Sequence, residues 1–509
     1  MTDKQPYLCI DVMQLILDFA DIRTQLNLTS LSKECHDRLK IRQITDKRIT
    51  QDIIQQKKFD RLQKLDASDN RKITDVNHLR NTLSELNCSS YICGIDQKGI
   101  SELLKLQKLN AYDNPKITDV NHLRNALIEL DCGNFNCGIN QKGISELLKL
   151  QKLYASNNPK ITDVNHLRNT LVELFCFYNC GIDQKGIAAL LKLQKLNAFD
   201  NPKITDVNHL RNTLVELNCD DRECGIDQKG ISELLKLQKL YASNNPKITD
   251  VNHLRNTLSE LHCRWDCGID QKGISELLKL QKLNASDNPK ITDVNHLQNT
   301  LVELFCFSNC GIDQKGISEL LKLQNLYTSD NLKITDVNHL RNTLSELYCR
   351  RNCGIDQEGI SELLKLQILD ACANPKITDV NHLRNVLIKL DCSLHSGIDQ
   401  KGISKLLKLQ KLDADANPKI TDVNHLRNTL IELDCCWNSG IDQKGISELL
   451  KLQKLDADDN PKITDVNHLR NTLVELTCRW NSGIDQKGIL ELLNLQKLNA
   501  SFNPKNNRC

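Results

Sequence analysis

The sequence predicts an α/β solenoid: a curved parallel β-sheet with short helices or 3-10 turns on its convex side, preceded by a small N-terminal helical module. Two observations carry that prediction. Asn-His-Leu recurs ten times, with its histidine at His78, His122, His166, His209, His253, His296, His339, His382, His425 and His468, always 43 or 44 residues apart. Within each period, short period-two apolar runs such as Leu109 and Ala111 read as strands with one face turned inward. Repetition at that interval marks stacked units, each burying its apolar face only against its neighbours.

In chain order, residues 1–43 form a set of short amphipathic helices, and residues 44–61 (Ile44, Ile49, Ile53, Ile54) a linking or capping helix. Residues 62–509 are then about 21 repeats of roughly 22 residues, in ten pairs and a partial one. The first half of a pair runs from Leu106 through Leu109, Ala111, Asn114 and Ile117 to Leu123, and the second from Leu127 through Leu130 and Cys132 to Ile144 and Leu148. A buried Asn such as Asn114 can satisfy backbone groups where the chain leaves the strand. Thr118 or Asp119 can cap the helical piece that follows, as Asp96 can in the preceding second half. Alternating Ala and Cys along the inner row leave little space for larger side chains. The 44-residue periods carry one extra residue after the inner cysteine, whereas the shorter ones place Asn, Asp or His at that turn, as at Asn179 and Asp266.

Net charge is +2, which gives no basic stripe for nucleic acid. No basic segment followed by an apolar run opens the chain, and no stretch approaches the roughly 20 apolar residues of a membrane span. The expectation is therefore a cytoplasmic or nuclear protein with no nucleic-acid or membrane partner. Ten of the 22 cysteines occupy one equivalent position, from Cys88 to Cys478. Consecutive ones stand two strands, about 10 Å, apart, beyond disulfide reach, and read as small buried hydrophobes of a reducing compartment.

Both halves follow Leu-x-x-Leu-x-(small)-x-x-Asn-x-x-Ile, and over residues 62–503 the sequence resembles the leucine-rich-repeat family. The resemblance implies a solenoid whose variable strand positions line a concave binding face. The N-terminus, Leu8-Cys-Ile-Asp-Val-Met-Gln-Leu-Ile-Leu-Asp-Phe19 followed by Leu26-Asn-Leu-Thr-Ser-Leu31, resembles an F-box, the helical module that docks on the Skp1-like adaptor of cullin ubiquitin ligases. Leu8, Ile10, Val12, Leu15, Ile16, Leu28 and Leu31 match its apolar pattern and become the adaptor-binding residues it implies. Cys9 and Cys35 depart from it, standing where the family has proline and tryptophan. Together the two resemblances imply a substrate receptor of an SCF-type ubiquitin ligase, similar to those of eukaryotes and of large DNA viruses of amoebae, where the compartment is the host cell's. The competing reading is a plain binding scaffold or inhibitor whose N-terminus only caps the solenoid.

No catalytic site is expected, because every acid, base or nucleophile recurs in equivalent surroundings. Neither cofactor nor metal is expected. The pairs such as Cys176 and Cys180 fall short of the four ligands zinc needs, and their second cysteine becomes Ser396, Ser439 and Ser482 in an unchanged frame.

Units differ mainly at outward strand positions, the expected partner-binding residues. Position three alternates Lys108, Lys152 and Lys195 with Glu85, Glu129 and Glu173, a structural charge ladder. Position five carries Tyr154 beside Phe175, with Phe177 beside Phe199 two residues on, and later Phe305, Tyr327 and Tyr348, with Phe307, Arg350 and Arg351 close by. Exposed aromatics with arginine have the composition of interface hot spots. Then Asp370, Asp391, Asp413, Asp434 and Asp456 fill the position on five consecutive strands. Their mutual repulsion asks for compensation, expected from Lys389, Lys411 and Lys454 and from a basic target peptide. The final strand around Leu498 lacks a polar cap, which predicts a fraying or self-associating edge.

Overall fold

The computed structural model describes residues 10–46 and 48–506. The chain divides into two compact units, with the boundary in sequence between Ile248 and Thr249, inside the repeats.

The first unit opens with three helices, α1 (Ile10–Phe19), α2 (Ile22–Ser30) and α3 (Lys33–Arg38). Their starts are set by polar caps. The Asp21 carboxylate accepts the Thr24 N–H at 2.7 Å, and Ser32 Oγ accepts that of Cys35 at 3.0 Å. Leu17, Cys35, Leu39 and Ile41 are buried beneath the helices. Gln14 accepts the Lys40 N–H at 2.9 Å and donates to its carbonyl at 3.0 Å, while Asp18 pairs with Arg42 at 3.0 Å. Polar bonds thus fasten the module to the start of the array.

The linking helix expected over residues 44–61 is not what forms there. Gln43–Ile44 is a strand, paired in parallel with Lys64 and Leu65, followed by a four-residue helix Gln51–Ile54 and a 3-10 turn Lys57–Phe59. This is a degenerate half-repeat. Gln51 Oε1 accepts the N–H groups of Thr74 and Asp75 at 2.9 and 3.1 Å, as Gln97 does for Thr118 and Asp119 at 2.9 Å each. Ile44 falls in the strand and Ile49 in the irregular segment after it, where stiff β-branched side chains fit better than in a long helix, and Ile54 closes the short helix. The array therefore starts near Ile41, one half-repeat before the expected residue 62.

Later half-repeats share one plan. Among the described residues, ten short strands from Gln43–Ile44 to Lys239–Tyr241 lie in the first unit, and twelve from Glu260–His262 to Lys497–Asn499 in the second. Adjacent strands are parallel and in strict register, as in Lys108 with Glu129, Leu109 with Leu130 and Asn110 with Asp131. The central leucine points inward, and the Ala or Cys two residues on is fully buried. Thr328 replaces one alanine and places its hydroxyl 3.4 Å from the Tyr348 carbonyl. The outer side carries 3-10 turns such as Asn121–Leu123 in first halves and short helices or 3-10 turns such as Gln141–Ile144 in second halves.

Buried polar ladders join neighbouring half-repeats. Asn114 Nδ2 donates to the carbonyls of Cys88 and Ile95 at 2.8 and 3.3 Å, and its Oδ1 accepts the Lys116 N–H at 2.9 Å. Asp119 accepts the Asn121 N–H at 2.8 Å, and Asp96 that of Gly99 at 3.0 Å, the capping roles expected of both. His122 Nε2 donates to the Ile100 carbonyl at 3.0 Å, and burial holds its pKa below the usual imidazole value. The same bond recurs at His166, His296 and His468. Gly143 is obligatory for a steric reason: a Cβ there would stand 2.1 Å from the Thr118 carbonyl oxygen. Inner cysteines donate weakly to neighbouring carbonyls, such as Cys88 to Asn110 at 3.4 Å, and burial pushes their thiols far above the ordinary range.

Candidate functional site

Outward strand residues alternate with the buried leucines, so positions three and five of every strand share one solvent face. At position three the charge ladder forms as expected. Lys64 pairs with Glu85 at 3.0 Å, Lys152 with Glu173 at 3.0 Å and Lys282 with Glu303 at 3.2 Å. Partly exposed pairs of this kind contribute only about 0.2–1 kcal/mol each.

In the first unit, register places Tyr154 beside Phe175, and the rings stack with centroids 4.5 Å apart. Phe177 and Phe199 are bridged by Tyr178, which meets each edge-on at 5.2 Å. Tyr178 lay outside the expected set, because it occupies the turn after the strand rather than the strand itself. Asp131, next to Tyr154 in register, is partly desolvated, and burial raises its carboxyl to about 6.

In the second unit Phe305, Tyr327 and Tyr348 form one continuous stack, with centroids 4.0 and 4.4 Å apart. These position-five rings are half-buried rather than exposed, since each covers the next. Fully outward aromatics stand at the turns instead. Trp265, Trp437 and Trp480 are each about half exposed, and Arg264 lies 4.3 Å over the Trp265 ring and 5.3 Å from that of Phe307. Tyr178, Trp265, Arg351 and Trp480 hold φ between 55° and 58°, in the left-handed region that disfavours bulky side chains. The expected turn residues Asn179, Asp266 and Asn352 lie one position later. The left-handed geometry is imposed by bonds to the next repeat, such as Trp265 N–H to Ser286 O at 3.2 Å.

The acidic row follows directly. Tyr348 pairs in register with Asp370, and Asp370 with Asp391, Asp391 with Asp413, Asp413 with Asp434 and Asp434 with Asp456. The lysines do not compensate it. Lys411 turns to Glu432 at 3.0 Å and Lys454 to Glu475 at 3.5 Å, because a side chain on the adjacent strand is nearer than one two residues along the same strand. Compensation is local and protic. Arg350 Nε donates to Asp370 at 2.6 Å, Ser393 Oγ to Asp391 at 2.6 Å and the Cys436 thiol to Asp456 at 2.9 Å. Burial, then repulsion from Asp391 and Asp434, pushes Asp413 up to about 7, and burial raises Asp434 to about 6. The carboxyls of Asp391 and Asp456 also rise through burial.

Sequence reasoning passed over Asp415, Cys436, Asp458 and Arg479 beside this row. Arg479 follows the inner cysteine as Arg350 does, and its Nε meets Asp458 at 2.6 Å. That shared offset was the signal available. Ligand atoms of Asp415, Asp434 and Cys436 come within 4.8 Å of one another. Burial and the adjacent carboxylates raise the Cys436 thiol far above its ordinary value, so the thiolate a metal requires is disfavoured. Three ligands also fall short of a structural zinc site.

Of the adaptor-binding residues, Leu8 lies outside the described residues. Val12, Leu15, Ile16 and Leu31 are exposed, whereas Ile10 and Leu28 are half-buried. No described helix is long and apolar enough to cross a membrane.

No protein-family model matches the chain, and no curated protein does. Among solved structures it is similar to the functional domain of InlJ from Listeria monocytogenes, which includes a cysteine ladder, at 22% identity and TM-score 0.40, over 70% of this chain and 74% of that one. It is also similar to TLR13 in the TLR13–ssRNA13 complex, at 18% identity and TM-score 0.52, over 87% of this chain and 71% of that one. At such identity the likeness is one of fold. Parallel three-residue strands, an asparagine ladder and short outer helices in a two-part repeat make this fold a leucine-rich-repeat solenoid.

Proposed function

We propose that the chain is a non-enzymatic binding protein and, more specifically, the substrate receptor of an SCF-type ubiquitin ligase in the cytoplasm or nucleus. The helical module docks on a Skp1-like adaptor and its cullin complex, and the solvent face of the strands holds the target. The observation that carries this reading is the division of α1. Leu17 is fully buried, whereas Val12, Leu15 and Ile16 on the same helix remain exposed, as does Leu31 at the end of α2. A helix serving only as a cap needs the buried face and not the exposed one, which costs solubility. The acidic row supports a basic target segment in the second unit, because a cationic side chain relieves both the repulsion and the partial protonation of Asp413 and Asp434.

The alternative, a binding scaffold with a purely structural cap, is favoured by the bonds of Gln14 and Asp18 to Lys40 and Arg42. Titration of the full-length protein with a recombinant Skp1-type adaptor separates the two. Saturable binding lost in a folded Leu15→Asp variant is the result expected. A folded wild-type chain that binds no adaptor leaves the scaffold.

A further inference from the structure

Residues on the solvent face of the strands differ from unit to unit. One outer edge does the opposite. In the turn that returns the chain from each second-half helix to the next strand, a leucine stands in solvent, and in every unit but the last, where Asn494 follows Leu493, a lysine comes next. Leu278, Leu321, Leu364, Leu407 and Leu450 in the second unit are each 57 to 60% exposed. Leu104, Leu148, Leu191 and Leu235 repeat the arrangement in the first unit. The corresponding first-half position holds asparagine, as at Asn299, Asn342 and Asn385, so consecutive leucines stand two strands, about 10 Å, apart.

The backbone beneath these leucines is anchored to the preceding half-repeat. The amide N–H of Leu321 donates to the Gln298 carbonyl at 3.3 Å, that of Leu364 to Arg341 at 3.2 Å and that of Leu407 to Arg384 at 3.1 Å. The charge beside them is not neutralised. Among the described residues, none of the lysines from Lys279 to Lys451 that follow these leucines pairs with an acid, in contrast to the strand lysines. Where the repeat keeps its arginine, the nearby glutamate is already engaged, Glu276 with Arg255 at 3.3 Å, Glu362 with Arg341 at 3.1 Å and Glu448 with Arg427 at 3.6 Å, while Lys405 stands in place of the glutamate before Leu407.

A row that offers the same two groups at every step cannot read a varied surface. It fits a partner that is itself laterally uniform, apolar at shallow depth and negatively charged above. A second copy of the chain matches the period but brings two unpaired lysine rows together. We infer that the leucine–lysine edge is a peripheral docking surface for an anionic lipid bilayer, with leucines entering the interface and lysines meeting the headgroups. It is independent of the adaptor reading, and it departs from the expectation of no membrane partner, which considered only spanning segments and charge totals.

Flotation of the full-length protein with vesicles tests it. The protein should float with phosphatidylcholine–phosphatidylserine vesicles (3:1) and not with phosphatidylcholine alone, with release as salt rises. Each lysine near such a surface contributes about fivefold in affinity, so Lys322→Gln, Lys365→Gln and Lys408→Gln together should weaken binding about a hundredfold. Leu321→Ser, Leu364→Ser and Leu407→Ser together should weaken it at least tenfold, and Leu15→Asp should not alter it. A folded wild-type chain that stays in the pellet with phosphatidylserine vesicles at low salt overturns the inference. So does flotation indifferent to both triple variants, or a sedimenting dimer that the serine triple converts to monomer.

Discussion

Asp413 shows how one side chain can carry the electrostatics of its neighbourhood. Its carboxyl titrates near 7 because it is partly buried between two more acids of the same row. A folded-state pKa raised above the unfolded value makes a contribution that is full below about pH 4 and lost as pH rises through 7. Asp413→Asn should therefore leave stability near pH 4 almost unchanged and raise it by about 1–3 kcal/mol at pH 8, less than the ~4 kcal/mol of the unrelaxed shift. Urea denaturation midpoints at the two pH values measure this; a variant equally stabilised at both would contradict it. The sequence displayed the row but not its chemistry. Opposition of five aspartates follows from register, whereas the turning of Lys411 toward Glu432 depends on side-chain reach across strands.

Among elements, the half-repeat at residues 41–62 is the instructive one. It lacks the leucine spacing, so the pattern of its isoleucines reads as a helix until Gln51 and Ile54 are aligned with Gln141 and Ile144. Phe59, in its 3-10 turn, is among its fully buried side chains. Phe59→Ala should cost about 3–5 kcal/mol locally. Hydrogen exchange should then accelerate at residues 43–44 and 64–66 while the amides of Glu129–Asp131 keep their protection. Uniform acceleration along the unit would show that the half-repeat is not an independent layer. The regular elements were legible because period-two leucines leave one choice of inward face. The turn residues were not, because Tyr178 and Trp265 adopt left-handed backbone through bonds to the neighbouring repeat rather than by their own preference.

For the molecule, stability accumulates from interfaces between like layers, so a whole period can be removed without breaking any of them. Deleting residues 411–453 joins strands of the same kind, since Lys454 takes the place of Lys411. The shortened protein should fold with an unchanged circular dichroism spectrum per residue, and with weaker pH dependence because two of the five row aspartates are gone. Deleting residues 411–431 instead sets Lys389 beside Glu432 but fuses two second halves, which breaks the alternation and should lower the thermal midpoint. Equal behaviour of the two deletions would show that the pair is not the building unit.

The direction of the polar ladders bears on how such a chain is made. Asn114 and His122 both reach back, to carbonyls of Cys88, Ile95 and Ile100 that precede them. As the polypeptide leaves the ribosome, these two side chains meet acceptors that already exist, whereas the Cys88 thiol and Asn121 Nδ2 reach forward, to the carbonyls of Asn110 and Lys142. Each half-repeat is thus tied to the earlier neighbour as soon as it emerges and to the later one when that follows, which suits near-identical units that would otherwise have several equivalent neighbours to choose from.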